Sequence, residues 1–316
     1  MKILMISDTS GNSDEGMKNI ARSLTAELNL FKGISVENKR SIFSCLKYDI
    51  VHFIGGPGTG TLIKAMLCKI LLRKVIITFS NPFINSYGLF FLKVLKPDLS
   101  IAMSKLWKSL LVKHQINTLF FNLSGTKTKF FNNPHRFSKN NLRKRLNLPI
   151  NKTIVMHAGH LKRDRNLKMF ELLDDTIFKL LIVSNTTKKD LDLKNELKQI
   201  KNLKIIEEYL PNIYDYYMAS DIYFFPTVDE KAAIQIPLSI IEAYSSGIKI
   251  LTTKFGGLEV LFPTQNNEGV VYTNFKDIRD KLDHFKKIKF KRDIEKFNFS
   301  NISKDLVDVY RKVLSK

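Results

Sequence analysis

Short apolar runs of strand length alternate with amphipathic stretches of helix length along almost the whole of this 316-residue chain. That alternation admits few folds. In the first half the strand candidates are 2–7, 49–54, 75–79, 99–102 and 118–122, with helical stretches such as 16–30 and 61–72 between them. The second half restarts at 153–157 and continues through 180–183, 203–207, 221–225, 248–252 and 269–272. Strand–helix–strand repetition predicts parallel sheets covered by helices. Residues 125–152 break the pattern: they are polar, basic and asparagine-rich, with Pro134 and Pro149. The expected fold class is therefore α/β, with two doubly wound Rossmann-like domains at 1–130 and 151–298 and a linker at 131–150. A terminal helix at 299–316 carries Ile302, Leu306, Val307, Tyr310 and Val313 on one side. Two domains also suit the length, which exceeds what one hydrophobic core usually serves. Ligands of such folds sit at the carboxyl ends of the strands.

Charge narrows the partners. The formal net charge is +21, from 51 basic and 30 acidic residues, which calls for a polyanionic neighbour: nucleic acid, an anionic membrane face or a phosphorylated substrate. No basic segment is interleaved with base-stacking aromatics, so nucleic acid is the weaker candidate. Two cysteines, Cys45 and Cys68, exclude a disulfide framework and a Cys-rich zinc site, and suggest reduced thiols in the cytosol. The start, MKILMISD, reads as a strand entering a polar loop rather than a signal peptide, and no apolar stretch is long enough to span a bilayer. The expected location is cytoplasmic, with attachment to the inner face of the plasma membrane as an option. Nothing has metal-ligand spacing, and no metal is expected.

The most informative stretch is 226–257, PTVDEKAAIQIPLSIIEAYSSGIKILTTKFGG. Pro226 stops the apolar run DIYFF, Pro237 suits the first turn of a helix LSIIEAY, and Gly247 ends it. A helix N-terminus at Leu238 and Ser239 offers N–H groups to an anion. Glu242, one turn in, can accept paired hydrogen bonds from neighbouring hydroxyls, and Gly256-Gly257 lets the backbone approach a phosphate. An ordinary αβ unit with a solvated glutamate would read the same. HAGHLKRDRN (157–166) places Gly159 at a strand end and crowds His160, Lys162, Arg163 and Arg165 behind it, which suits a diphosphate or a solvated basic loop. Near the start, the loop 8–16 (DTSGNSDEG) leads into a helix without dinucleotide-fingerprint spacing. GGPGTG (55–60) has Thr61 where a phosphate loop needs lysine. His52, ending the second strand, suits either a ligand cleft or a hydrogen-bonded structural role.

The order of these segments resembles the GT-B glycosyltransferases, in particular the retaining family 4 group, over essentially the whole chain. MKILMISD and EGMKNIARSLTAEL are similar to that family's first strand, loop and helix, with Glu15-Gly16 where two glycines are usual. DIVHFI, IAMSKLWKSLL and SGTKTKFF resemble its later N-domain segments and the opening of its linker. AGHLKRDRN resembles the donor-phosphate motif, with His160 in the arginine position and Arg165 in the lysine position. YLPNIYDYYMASDIYFFPT, which contains Tyr209, resembles the segment that turns over the nucleotide base. IPLSIIEAYSSGIKILTTKFGG is the strongest match, to the glutamate-alanine and Gly-Gly signature. Two departures stand out. Ile234 occupies the position of the family's first glutamate, which Glu230 would fill only across a four-residue insertion, and Ser80 in TFSNPF replaces a usual histidine.

The resemblance implies two domains facing across a cleft, with the terminal helix returning to the N-terminal domain. It also implies retaining transfer of a sugar from a nucleotide-diphosphate donor to an acceptor hydroxyl, of the hexosyltransferase type, in envelope polysaccharide or glycolipid synthesis. The donor would be the only small molecule required besides a lipid-linked or saccharide acceptor. Arg165, with Lys162 or His160, would stabilise the departing diphosphate, and Glu242 would hold the ribose. Gly159, Tyr209, Leu238, Ser239, Gly256 and Gly257 would line the donor site; Glu15, Gly16, His52, Ser80 and Asn81 would face the acceptor. The alternatives are a catalytically silent protein of the same fold, a nucleic-acid-binding protein, or a nucleotide-sugar epimerase.

Overall fold

The computed structural model describes residues 1–7, 16–55, 58–81, 86–127, 138–184, 189–264, 268–287 and 291–316. Glu15 and most of the 8–16 loop, the centre of GGPGTG and the stretch 128–137 lie outside the described residues. The chain divides into two compact units. One comprises Met1–Gly125, Ala233–Ile236 and Asn298–Lys316; the other comprises Thr126–Ala232 and Pro237–Phe297.

The N-terminal unit is built on six parallel strands: β1 (Lys2–Ile6), β2 (Ser35–Lys39), β3 (Ile50–Phe53), β4 (Lys74–Phe79), β5 (Leu99–Ala102) and β6 (Thr118–Phe120), in the order β2-β1-β3-β4-β5-β6. Of these, β2 escapes the sequence pattern. It reads SVENK, and only Val36 is buried, because an edge strand is covered less than a central one. Helices α1 (Gly16–Leu28), α2 (Thr59–Ile70), α3 (Ser86–Leu95) and α4 (Lys105–Lys113) make the crossovers. The step β1 to β2 runs one way along the sheet, whereas β3 to β4 to β5 to β6 runs the other. Right-handed crossovers therefore place α1 on one face and α2, α3 and α4 together on the opposite face. The core agrees: Leu62, Leu92 and Trp107 from those three helices share one buried cluster with Val51 and Ile77. On the α1 face, the terminal helix Phe299–Leu314 packs against α1 and buries Ile302, Leu306, Val307, Tyr310 and Val313.

The second unit repeats the plan with β7 (Ile154–Gly159), β8 (Phe178–Val183), β9 (Leu203–Ile206), β10 (Ile222–Phe225), β11 (Lys249–Thr252) and β12 (Val270–Tyr272), ordered β12-β11-β10-β7-β8-β9. Its helices are α5 (Lys139–Arg145), α6 (Leu191–Lys198), α7 (Ile213–Ala219), α8 (Leu238–Ser245), α9 (Leu258–Leu261) and α10 (Ile278–Lys287). The order reverses between β7 and β10, and a crevice at the carboxyl ends of the strands on either side of such a reversal is where ligands of these sheets bind.

The stretch whose composition reads as a linker is, where described, built into this unit. The Arg143 side chain on α5 is 6% exposed and pairs with Asp221 (Nη2 to Oδ2, 2.6 Å). It also donates to the carbonyls of Ala219, Ile150 and Lys152. A basic, asparagine-rich sequence hides this role because the partner acid lies 78 residues away.

Candidate functional site

The candidate site lies at the β7/β10 switch, where two paired strands end beside one another. β7 finishes as His157-Ala158-Gly159, and β10 brings up Tyr223, which is fully buried. The Tyr223 hydroxyl donates to the Ala158 carbonyl at 3.1 Å and is hydrogen-bonded by Ser239 from the first turn of α8. Burial pushes this phenol's pKa up, so it acts as a neutral strut between strand end and helix start.

His157 explains Gly159. Its Nδ1 lies 2.9 Å from the Phe224 carbonyl, an acceptor, so the proton sits on Nδ1 and Nε2 presents a lone pair. A Cβ at position 159 would lie 3.0 Å from that Nε2, closer than such contacts normally come. The ring stacks near Tyr223 and Phe225, with centroids 5.8 and 5.9 Å away, and burial lowers its pKa to about 3. A neutral imidazole therefore underlies the turn, and only glycine leaves the backbone above it open.

Beyond Gly159, Leu161 anchors the turn at 1% exposure, and residues 163–165 form one 3-10 turn. Asn166 closes it with φ of 55°, a left-handed conformation that asparagine tolerates better than most residues. The crowded cations separate here by role. Arg163 is engaged by Glu196 at 2.7 Å and Asp190 at 3.2 Å. Lys162 is half-buried, and its carbonyl accepts from the Arg165 N–H at 3.1 Å. Arg165 is drawn inward to 8% exposure, and its Nε meets no hydrogen-bond partner among the described residues. Burial lowers its pKa, but a guanidinium retains its charge. A buried cation with an unmet donor calls for an anion. His160, half-buried, flanks it.

Glu242 lies one turn into α8, where Tyr217 from α7 donates to its Oε2 at 3.0 Å. The residue is not sealed from solvent, yet its carboxyl is crowded enough that burial raises its pKa to about 7, with the Tyr217 bond opposing. Pro237 is the N-cap, with φ −65° and ψ 129°, rather than a first-turn residue. The N–H groups of Leu238 and Ser239 that follow have no intrahelical acceptor. After β11, Gly256 turns with φ of 54° and Gly257 caps α9.

The Gly256 N–H donates to Oε1 of Glu230 at 3.3 Å, so Glu230 rather than Ile234 is the carboxylate beside this turn. The residues after Glu230 leave this unit: Ala233–Ile236 belong to the N-terminal one, where the Gln235 N–H donates to the Ser80 carbonyl at 2.8 Å. Glu230, just before that excursion, stays beside the Gly-Gly turn. His157, Tyr217 and Tyr223 also went unread in the sequence. Each sits in an apolar run and looks there like core.

Among the other expected residues, Tyr209 is 56% exposed. In the N-terminal unit His52 has its ring fully used: Nδ1 meets the Tyr310 hydroxyl at 2.8 Å and Nε2 the Thr78 hydroxyl at 2.7 Å. It is buried and held neutral by that burial, so its role is to fasten the terminal helix to β3, not to meet an acceptor. Ser80 is fully buried, and its hydroxyl meets no partner among the described residues. The Asn81 carbonyl accepts from the Trp107 indole at 2.8 Å. Gly16 opens α1. No group of three or more His, Cys, Asp or Glu that could hold a metal occurs among the described residues.

Residues 153–285 match the sequence family Glycosyl transferases group 1. A Bacillus subtilis protein described as the teichuronic acid biosynthesis glycosyltransferase TuaC is 26% identical over 131 residues, which is 40% of this chain and 31% of that protein. The chain thus matches about a third of that relative's length. Among solved structures, Anabaena HepE in complex with UDP superposes with a TM-score of 0.74 at 14% identity, covering 99% of this chain and 100% of that one. A sucrose-phosphate synthase from Thermosynechococcus elongatus gives 0.73 at 15% identity and 99% coverage of both chains. A glycosyltransferase from Rickettsia africae gives 0.72 at 16% identity, covering 99% and 98%. Buried arginine, strand-end glycine and helix-borne glutamate thus fall inside the segment that matches the family, and the whole length shares the fold. Residues 153–285 are thus similar to the group 1 glycosyl transferases, and the chain as a whole has the GT-B fold of these structures.

Proposed function

We propose that the protein transfers a sugar from a nucleoside-diphosphate donor to an acceptor hydroxyl, with retention at the anomeric carbon. The observation that carries this is Arg165, a buried cation with an unmet Nε donor in the turn that follows Gly159. In the proposed scheme the bond from C1 to the diphosphate oxygen breaks, and its electron pair leaves on the phosphate. Arg165 stabilises that developing charge, with Lys162 and His160 at the rim and the Gly256-Gly257 backbone opposite, a preorganised electrostatic contribution of several kcal/mol. The acceptor oxygen bonds C1 on the same face and passes its proton to the departing phosphate, so no protein nucleophile is needed. Glu242 accepts from the ribose hydroxyls, and Glu230 from a sugar hydroxyl near the Gly256 N–H. The scheme calls on no metal or further cofactor.

HepE, solved with UDP, makes uridine the first base to test. TuaC's description supports an envelope saccharide or its lipid-linked precursor as acceptor, met at the inner face of the plasma membrane. No helix among the described residues is long and apolar enough to cross a membrane, so attachment there would be peripheral. The test is a thermal-shift panel of nucleoside diphosphates and their sugars, with Arg165→Ala and Glu242→Ala beside the parent. A shift for one nucleotide that both substitutions remove supports the donor site. A shift for none overturns it in favour of a silent protein of the same fold.

A further inference from the structure

Among the described residues, large apolar side chains stand exposed mainly in the N-terminal unit, and there they follow a pattern. On α2, Ile63, Leu67 and Ile70 are 48, 48 and 67% exposed; the spacing of four and three residues makes one stripe, opposite buried Leu62, Ala65 and Cys68. On α3, Tyr87, Phe90 and Val94 form a second stripe, at 75, 64 and 53%. On α4, Leu106 and Val112 are more than half exposed. These three helices share one face of the sheet, and α2 packs directly on α3. A soluble monomer seldom leaves so much adjoining apolar surface bare.

The charge on this face has one sign. Between Asp49 and Asp164 the sequence carries a single acid, Asp98. That carboxylate is already engaged by Lys69 at 3.0 Å, Lys74 at 3.7 Å and the Val75 N–H at 2.7 Å. Lys64, Lys93 and Lys108 are exposed on the same helices as the apolar stripes, and Lys96 is exposed just past the end of α3. Two copies meeting through this face would set lysine against lysine, as a two-fold contact pairs each patch with itself. An anionic bilayer instead offers headgroups to the lysines and an acyl boundary to Leu, Ile and Phe, the arrangement of an interfacial helix.

Given the membrane placement proposed above, we infer that α2, α3 and α4 form the docking face and that its partner is an anionic phospholipid surface. The lysine stems lie along the apolar stripes with their ammonium groups at phosphate level. The aromatic rings of Tyr87 and Phe90 enter the headgroup boundary.

The experiment is co-sedimentation, without donor, with vesicles of phosphatidylcholine alone or mixed with phosphatidylglycerol. The parent is compared with Leu67→Asp plus Phe90→Asp, and with Lys93→Gln plus Lys96→Gln. Expected is binding to the anionic vesicles only, weakened by salt. The apolar pair should lose at least about tenfold, and each lysine about fivefold. Because all four positions are exposed, melting temperature and donor-induced shift should match the parent. Binding by the variants equal to the parent's would overturn the assignment of the face and spare the membrane placement. No binding to either vesicle would overturn both and leave the donor site standing. Conversion of a dimer to a monomer by the aspartates would overturn the lipid partner in favour of a second copy.

Discussion

Replacing Glu242 with glutamine should stabilise the free protein at alkaline pH while weakening donor binding. Burial raises this carboxyl from its ordinary 4.5 to about 7. A raised carboxyl pKa means that the folded state holds a proton the unfolded chain has already lost. Stability therefore falls as pH rises from about 4.5 to about 7, and the loss is complete above it. A displacement of about 2.5 pH units corresponds to roughly 3 kcal/mol at 1.36 kcal/mol each. Since the residue keeps some contact with solvent, about 1–3 kcal/mol is the expected gain for the neutral glutamine at pH 8.5. For a unit of this size that is roughly 3–9 °C in melting temperature, and at pH 4.5 the gain should vanish. The Tyr217 hydroxyl, which donates to Oε2, can donate equally to an amide oxygen, so no partner is stranded. Donor affinity should move the opposite way: parent binding strengthens as pH rises through 7, because ribose hydroxyls donate to the ionised form, whereas the variant binds weakly at every pH. Thermal melts and donor titrations at pH 4.5, 6 and 8.5 test both halves. Equal melting temperatures at pH 8.5, or a gain that persists unchanged at pH 4.5, would refute the account of this carboxyl.

Three further outcomes follow from the same geometry. Arg165→Ala should cost about 10- to 100-fold in nucleoside-diphosphate affinity without lowering the melting temperature, since the guanidinium's Nε has no partner to lose among the described residues; isothermal titration and a melt check this. Gly159→Ala should destabilise by about 1–3 kcal/mol, because the new methyl meets His157 Nε2 at 3.0 Å. Combined with His157→Ala it should cost clearly less than the sum of the two single changes, as measured in a chemical-denaturation cycle. Asp221→Asn should cost about 3 kcal/mol at neutral pH, by leaving buried Arg143 uncompensated. Although burial opposes it, the Ile154 N–H with Lys139 and Arg143 holds the Asp221 pKa below its usual value. That stability is present above about pH 4 and lost as pH falls through the depressed value, so parent and variant should converge in acid.

Much of the fold was legible because a parallel strand buried on both faces is a continuous apolar run. IVHF, KVIITF and FKLLIV declare themselves without any partner in view. SVENK does not, since an edge strand can stay polar. The candidate residues that stood out in the sequence are those whose chemistry departs from core composition: Gly159, Arg165, Glu242 and the Gly256-Gly257 turn. It was illegible where polar groups are seated in apolar runs, as with His157, Tyr217 and Tyr223, whose importance comes from partners 25 to 67 residues away.

By itself, then, the order of residues along the chain determined the α/β class, the two-unit plan and the family likeness, and it singled out Arg165 and Glu242 as the candidate cation and carboxylate. Each of these depends on local pattern and spacing, which the chain carries wherever it folds. Only the tertiary structure decided that Arg163 is spent on Glu196 and Asp190 while Arg165 is left facing inward. Likewise it seated Glu230 beside Gly256 and closed His52 between Tyr310 and Thr78. A side chain's available charge or proton is set by what folding brings against it, and those neighbours are distant in sequence.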